Sequence, residues 1–173
     1  LAPPEIAPMD DRRFTAFGLY NPCVALKVDQ KMVLNDIDFD DKAKIYVLTG
    51  PNRGGKSVIT CAVGQAQALC QLGLPVPAAS AVISPVTAIY THFPTGSEGD
   101  GAIEKGRLGE ECDRLNKIFD TLDSHSLILL DESFSSTGSY EASYIASEVL
   151  TGFSMIGCKC LFSTHLHELS GQL

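Results

Sequence analysis

The spacing of apolar residues along the first half of the chain predicts strands followed by a helix. Short apolar runs at 24–28, 33–39 and 43–48 are typical of strands that polar turns separate. Between residues 57 and 72 apolar positions recur every three or four residues, which predicts a helix with one buried face. Gly73 follows this pattern and is expected to end the helix.

The next segment is less regular. Residues 81–90 are strand-like, and the glycine and charge content of residues 94–106 predicts a mobile loop. Apolar positions from Leu108 to Leu122 then return to helical spacing. These patterns predict a second amphipathic helix beyond the loop.

The last third of the chain contains two strongly apolar runs. The run at 126–130 is typical of a strand buried on both faces of a parallel sheet, and residues 158–163 are similar. A helical pattern at 140–150 lies between them. The whole order predicts an α/β fold, with a mainly parallel sheet flanked by helices and an antiparallel strand region on the N-terminal side.

Length and the two ends of the sequence suggest the domain organisation. The 173 residues are enough for one domain. Residues 1–19 are rich in proline, so we predict a linker or arm there and a single domain over 20–173. The sequence lacks an initial Met and stops at HLHELSGQL, so we expect a C-terminally incomplete piece of a larger protein.

Charge and composition narrow the partners. A net charge of -8 argues that this segment is not the main grip on nucleic acid, because phosphate backbones attract clustered Lys and Arg. Neither a bilayer-spanning apolar stretch nor a secretory signal pattern is visible, so no membrane partner and a cytoplasmic location are expected. The six cysteines form no C-x-x-C pair and are interpreted as reduced, buried thiols, with Cys158 and Cys160 on one face.

A glycine-rich loop carries the first candidate chemistry. The sequence TGPNRGGKS lies between the apolar run IYVL and the first helix, and it matches the phosphate-binding pattern G-x-x-x-x-G-K-S/T. Glycines allow backbone N–H groups to surround phosphate oxygens, and the start of a helix adds positive potential. Lys56 would reach the β and γ phosphates of ATP or ADP, and the Ser57 hydroxyl would ligate Mg²⁺. The predicted nucleotide-binding residues are Gly50, Pro51, Asn52, Arg53, Gly54, Gly55, Lys56 and Ser57.

Two further strands end in polar side chains. Asp131 and Glu132 follow the apolar run LILL, at the strand end where parallel sheets place ligands. Asp131 would hold the metal together with Ser57, and Glu132 would polarise an attacking water, which favours hydrolysis over transfer to another acceptor. His165, at the end of LFSTH, is a candidate sensor of the γ phosphate, whereas His92 and His167 are interpreted as structural or surface residues.

The order of these motifs resembles the ATPase domain of the MutS family of DNA mismatch-repair and recombination proteins, a branch of the ABC-type ATPases. The resemblance runs from about residue 20 to residue 173. It rests on TGPNRGGKS, which is similar to TGPN-x-GGKS, on LILLDESFSSTGSYEA and on LFSTHLHEL. Weaker parallels are NDI at 35–37, whose preceding residues Met32 and Val33 would pack on adenine, and GLPVPA at 73–78.

The resemblance implies a P-loop NTPase fold of the ABC type that works as a dimer. Each ATP would be completed by a signature segment from a second ATPase subunit, in a homodimer or a heterodimer. The corresponding segment is 106–111, before a helix, and only its Glu111 end agrees well with the family pattern S-x-F-x-x-E. DNA would be contacted through domains outside this segment, and the location would be nuclear in a eukaryote.

Departures from the family indicate a divergent member whose DNA substrate need not be a mismatch. Gly106 and Leu108 replace the usual residues of the signature segment, and DESFSSTGS stands where DEIGRGTST is usual. The leading hypothesis is ATP binding and hydrolysis that drive conformational switching of a DNA-binding protein, with weak turnover in the isolated 173 residues. The alternatives are a nucleotide-gated dimerisation module with negligible turnover, or the ATPase subunit of an ABC transporter, whose LSGGQ motif is not found between residues 57 and 131.

Overall fold

The computed structural model describes residues 1–51, 53–93 and 104–166, without the side chains of residues 104 and 105. This part of the chain folds into two four-stranded sheets and four α-helices. The strands are β1 (Glu5–Ile6), β2 (Phe14–Leu19), β3 (Asn35–Phe39), β4 (Ile45–Thr49), β5 (Ser80–Ile83), β6 (Ile89–His92), β7 (Leu127–Asp131) and β8 (Lys159–Thr164). The helices are α1 (Pro22–Ala25), α2 (Lys56–Gln71), α3 (Glu104–Phe119) and α4 (Ser139–Ile156), and a 3-10 turn covers Met9–Asp11.

Two hydrophobic clusters cover the two faces of a parallel sheet with the strand order β4-β8-β7-β6. Successive residues of a strand point to opposite faces, so each strand serves two hydrophobic clusters. Leu127, Leu129 and Leu161 pack with α2 on one face. Ile128 and Phe162 belong to the cluster formed with α3 and α4 on the other face. The predicted α/β fold with a parallel sheet flanked by helices is confirmed.

The second sheet is mixed, with the order β1-β5-β2-β3. Strand β2 lies inside it and pairs antiparallel with both β3 and β5, which confirms the predicted antiparallel region. Phe14, Ala16 and Leu19 of β2 are buried. The prediction of a linker over 1–19 is therefore wrong for this segment, because the apolar alternation of FTAFGL outweighs the prolines before it. Even Ala2 pairs with Val76.

Residues 24–28 do not form the predicted strand. The Asn21 side chain accepts hydrogen bonds from the N–H groups of Cys23 and Val24, and Pro22 occupies the first helical position. This cap starts helix α1, so a local Asn-Pro signal overrides the β propensity of the following residues. Strand β3 likewise begins at Asn35, later than the predicted residue 33.

Residues 81–90 form two strands rather than one. β5 belongs to the mixed sheet and β6 to the parallel sheet, with residues 84–88 crossing between them. Helix α3 begins at Glu104, so the predicted loop is wrong for 104–106, while residues 94–103 lie outside the described part. No helix in the described ranges is both long and apolar enough to cross a membrane.

Candidate functional site

The glycine-rich loop ends in an abrupt start of helix α2. Gly55 has a φ of +83° and Arg53 a φ of +70°, so the backbone turns sharply twice before Lys56. Within the turn the N–H of Gly54 donates to the carbonyl of Pro51 at 3.0 Å. The first N–H groups of any helix have no partner inside it, so α2 presents backbone donors at this end. Asn52 lies outside the described residues.

Lys56 ties the loop to itself and faces the next strand end. Its side chain is only 7% exposed. The ammonium donates to the carbonyl oxygens of Gly50 at 2.8 Å and Pro51 at 3.0 Å. It also lies 3.8 Å from Oε1 of Glu132. A buried ammonium with these partners is held at a fixed position between the loop and the edge of the sheet.

Asp131 lies at the end of β7, directly opposite Ser163 of β8 in the parallel register. The Ser163 hydroxyl donates to Oδ1 of Asp131, and the Asp131 residue is 5% exposed. Strand β7 is buried along its whole length and β8 is buried from Cys160 onward, so the two polar residues lie beside buried apolar strand residues. The carboxylate is thereby oriented at the carboxyl edge of the sheet.

Glu132 connects the three predicted motifs. Its backbone N–H donates to the Ser163 carbonyl at 2.9 Å. Its Oε2 lies 2.5 Å from Nδ1 of His165, and its Oε1 is the carboxylate oxygen near Lys56. The side chain of Glu132 is 23% exposed and that of His165 is 44% exposed, so the pair faces solvent from one side. The structure thus brings Lys56, Glu132 and His165 into one cluster.

An open cleft of about 500 Å³ lies beside the loop. Met32 and Val33 line it, together with Asn21 and Val24 around α1. From the loop and α2 it is lined by Thr49, Gly50, Pro51, Arg53, Gly54, Gly55, Lys56, Val58 and Ile59. Ser57 is exposed at the start of α2. Among the described residues, Ser57 and Asp131 are outside the lining of this cleft.

The residues that follow Glu132 make contacts that the sequence reasoning missed. The Ser133 hydroxyl lies 2.8 Å from Nδ1 of His92, and both residues are 3% exposed. The Phe134 N–H donates to Oε2 of Glu111 at 2.9 Å. His92 is therefore structural, as predicted, but it contacts the site, and residues 106–111 lie within α3 rather than before it. No local pattern pairs these side chains, because their partners are 23 and 41 residues apart.

Burial shifts the pKa values of His92 and Glu111, the partners of Ser133 and Phe134. Burial, followed by the positive charge of Arg114, lowers the pKa of His92 and favours its neutral ring. Burial also raises the pKa of Glu111, although the hydrogen bond from Phe134 and the charges of Arg107 and Arg114 oppose this effect. His92 and Glu111, which contact the residues after Glu132, thus lie in a poorly solvated region.

The side chains present fit a nucleotide-bound Mg²⁺ better than a metal held by protein alone. Within the described ranges no three His, Cys, Asp or Glu side chains form a metal-binding group. Asp131 supplies one oriented carboxylate, and Ser57 supplies a hydroxyl at the start of α2. Mg²⁺ commonly takes one or two carboxylates and completes its shell with water and phosphate oxygens.

Comparison with known proteins identifies relatives across this whole region. Residues 46–172 match the family described as MutS domain V. The chain is 38% identical over 154 residues to a DNA mismatch repair protein MutS of Prochlorococcus marinus, covering 87% of this chain and 16% of that protein. It is 33% identical over 165 residues to the MutS of Roseiflexus castenholzii, covering 93% of this chain and 15% of the relative. A probable DNA mismatch repair protein Msh6 of Drosophila melanogaster is 33% identical over 152 residues, covering 87% of this chain and 12% of its own length.

Proposed function

The chain belongs to the MutS family, and we propose that it is an ATPase domain whose binding and hydrolysis of ATP switch the conformation of a DNA-binding protein. The chain spans between 12% and 16% of the length of the three relatives, so the proposal for the whole protein goes beyond this segment. The observation that carries the proposal is the cluster of Lys56, Glu132 and His165 beside the glycine-rich loop. A P-loop NTPase of the ABC type would place its phosphate-binding and water-activating groups in this way.

The cleft and the start of α2 would bind different parts of the nucleotide. Met32 and Val33 would contact the base in the cleft, since both line it and Val33 is 76% exposed. The donors at the start of α2 and the Lys56 ammonium would contact the phosphates. Lys56 already lies between the loop carbonyls and Glu132, so a γ phosphate bound there would be close to the carboxylate.

Glu132 would act on the attacking water. As the general base it would accept a proton while the water oxygen bonds to the γ phosphorus and ADP leaves with the electron pair of the broken bond. The contact with His165 orients the carboxylate, and His165 is exposed enough to sense the γ phosphate directly. Mg²⁺, held by Asp131 and Ser57, would neutralise charge on the phosphate oxygens.

The partners follow from the relatives and from the charge of this chain. The relatives are named as DNA mismatch repair proteins, so we propose DNA as the ultimate partner of the whole protein. A segment with a net charge of -8 is a poor surface for DNA, so contact would be made by other domains. A second ATPase subunit would complete each nucleotide site. Residues 106–111 of α3 are our candidate for the segment that contacts the nucleotide bound to the other subunit.

Steady-state ATP hydrolysis by the whole protein, compared with its Glu132→Gln variant, tests this function. We expect the substitution to reduce turnover by about a hundredfold or more while ATP still binds, since general-base catalysis contributes about 10²- to 10⁴-fold. Glu148→Gln is the matched control, because Glu148 is an exposed carboxylate on α4 and should keep the normal rate. Equal rates for the parent protein and Glu132→Gln would instead favour the nucleotide-gated dimerisation module.

A further inference from the structure

The loop from Glu132 to Phe134 is held by three different elements of the fold. Strand β8 accepts the Glu132 N–H through the Ser163 carbonyl. Strand β6 contacts the Ser133 hydroxyl through His92. Helix α3 accepts the Phe134 N–H through Glu111. Each of the three successive residues therefore has its own partner, and two of the partners are side chains.

The backbone of this loop would not adopt its conformation without such partners. Glu132 has a φ of +46° and Phe134 a φ of +65°, in the left-handed region that residues with a side chain avoid. Such conformations persist only where the surroundings impose them. The Phe134 side chain is fully buried in the cluster between the parallel sheet and helices α3 and α4, which helps to offset the strain. Loss of one hydrogen bond should therefore let the loop relax and move Glu132.

Glu111 makes the position of the loop depend on helix α3. The helix is 16 residues long and continuous, so a displacement of one end would be transmitted along its length. Glu111 lies five residues after Gly106, or about 7.5 Å along the axis at a rise of 1.5 Å per residue. A displacement at the Gly106 end would thus reach Phe134 through a single hydrogen bond.

We propose that Glu111 and His92 are positioning residues for Glu132, and that Glu111 couples the position of its carboxylate to helix α3. The proposal rests on the proposed function, because it assumes that Glu132 activates water. Neither side chain lines the cleft or contacts Lys56 among the described residues. Their effect is therefore on the rate of hydrolysis and not on ATP binding.

The same residues suggest why the loop differs from the family pattern. Phe134 stands at the position of a glycine in DEIGRGTST, and glycine adopts a positive φ at little cost. In this chain, two interactions stabilise the positive φ at Phe134. The Phe134 ring is buried, and the Glu111 carboxylate accepts a hydrogen bond from the Phe134 N–H. Ser133 supplies the hydroxyl that meets His92. Side-chain contacts with β6 and α3 thus compensate for the missing glycine.

Substitution of Glu111 in the whole protein tests the proposal. Glu111→Leu removes the acceptor, whereas Glu111→Gln keeps an oxygen at the same reach. Asp113→Leu is the control, because Asp113 is an exposed carboxylate on the same helix and lies outside residues 106–111. We expect Glu111→Leu to lower kcat by about tenfold or more with KM for ATP unchanged, because small displacements of a catalytic group cost rate rather than binding. Asp113→Leu should stay close to the parent rate, and Glu111→Gln should retain most of it, because its amide oxygen can still accept from the Phe134 N–H. His92→Leu should lower kcat in the same way, and His92→Asn, which retains a polar atom near Nδ1, should restore part of it.

Amide hydrogen exchange supplies a second readout that does not depend on turnover. Glu111→Leu should raise the exchange rate of the Phe134 amide by about tenfold or more, because that N–H loses its partner, and Asp113→Leu should leave it unchanged. An unchanged Phe134 exchange rate, or a parent-like kcat in Glu111→Leu, would overturn the positioning role. If the positioning role is overturned but Glu132→Gln abolishes turnover in the same assays, the proposed function still stands. If Glu132→Gln keeps the parent rate, the proposed function is wrong and the positioning role is lost with it.

Discussion

Helix α2 approaches strand β7 so closely that only glycine fits at position 64. A Cβ atom added to Gly64 would lie 2.6 Å from Cδ1 of Leu129, whereas carbon atoms in contact are usually about 3.5–4.0 Å apart. Leu129 is 1% exposed and packed in the core, so it has little room to move. Because α2 begins with Lys56 and β7 ends with Asp131, this contact sets the distance between two parts of the site.

The substitution Gly64→Ala has two opposing effects on the free energy of unfolding. Alanine inside a helix is favoured over glycine by about 1 kcal/mol. Overpacking a core position costs about 1–3 kcal/mol. Gly109→Ala, in helix α3, is a matched control, since among the described residues its added Cβ meets no heavy atom within 4 Å apart from its chain neighbours and the nearby backbone of its own helix. The control should gain about 1 kcal/mol, and Gly64→Ala should be about 1–3 kcal/mol less stable than the control.

Urea unfolding followed by far-UV circular dichroism measures both values, and the chain contains no Trp that could serve as a fluorescent probe. A double-mutant cycle with Leu129→Ala locates the clash. The double variant should be less destabilised than the sum of the two single variants, because removal of Cδ1 makes room for the new methyl group. Equal changes in Gly64→Ala and Gly109→Ala, or an additive cycle, would refute the close contact.

Two further predictions concern titratable side chains away from the site. Burial lowers the pKa of Lys159 to about 8, and its ammonium donates to the Arg12 carbonyl. The folded state therefore binds fewer protons than the unfolded state between pH 8 and pH 10.5, so stability should rise with pH in that window. We expect this rise in the free energy of unfolding to be about 1–2 kcal/mol after allowance for partial exposure. Urea unfolding at several pH values should show the rise in the parent and not in Lys159→Met. The same pH dependence in both proteins would show that the lysine is solvated. Brief alkylation with iodoacetamide, followed by peptide mass spectrometry, should modify exposed Cys23 long before Cys158, whose pKa burial raises to about 11. Equal labelling of the two thiols would contradict their assigned burial.

The elements that carry the site were predictable because their signals are local. The spacing of Val63, Ala66 and Cys70 defines one helical face, and these residues are indeed buried in α2. The apolar runs ending at Asp131 and Thr164 form the predicted parallel strands, and the structure places them side by side. Once a strand is known to be central and parallel, its carboxyl end must face the site, so the juxtaposition of Glu132 and His165 follows from topology.

Other parts of the fold depend on partners that a linear pattern does not reveal. Strand β2 follows a proline-rich start, and its pairing with β5 joins segments more than 60 residues apart. The break between β5 and β6 is invisible to periodicity, because both halves are apolar and extended. Cys158 and Cys160 do lie in one cluster as predicted, but Cys23 is exposed, so the prediction of a buried thiol is wrong for that residue.

The contacts behind Glu132 were the least predictable part of the site. The sequence pattern marks Glu111 only as the end of a signature-like segment and predicts that His92 is a structural or surface residue. Their roles depend on two hydrogen bonds to a strained loop, and neither a propensity nor a spacing predicts a positive φ at Phe134. Side-chain to backbone contacts between distant elements therefore mark the limit of prediction from this sequence.

The most direct test of the account is the dissociation constant of ATP with Mg²⁺ for the protein and for its Lys56→Met variant, measured by calorimetry. The account predicts one saturable site per chain, weakened by about tenfold to a hundredfold in Lys56→Met, since charge-assisted hydrogen bonds contribute about 1.5–3 kcal/mol. Lys42→Met is the control, because the Lys42 side chain is 91% exposed and lies away from the loop. Absence of binding to the parent protein, or equal affinities in the parent and Lys56→Met, would contradict the claim that the glycine-rich loop and its buried lysine form a nucleotide site.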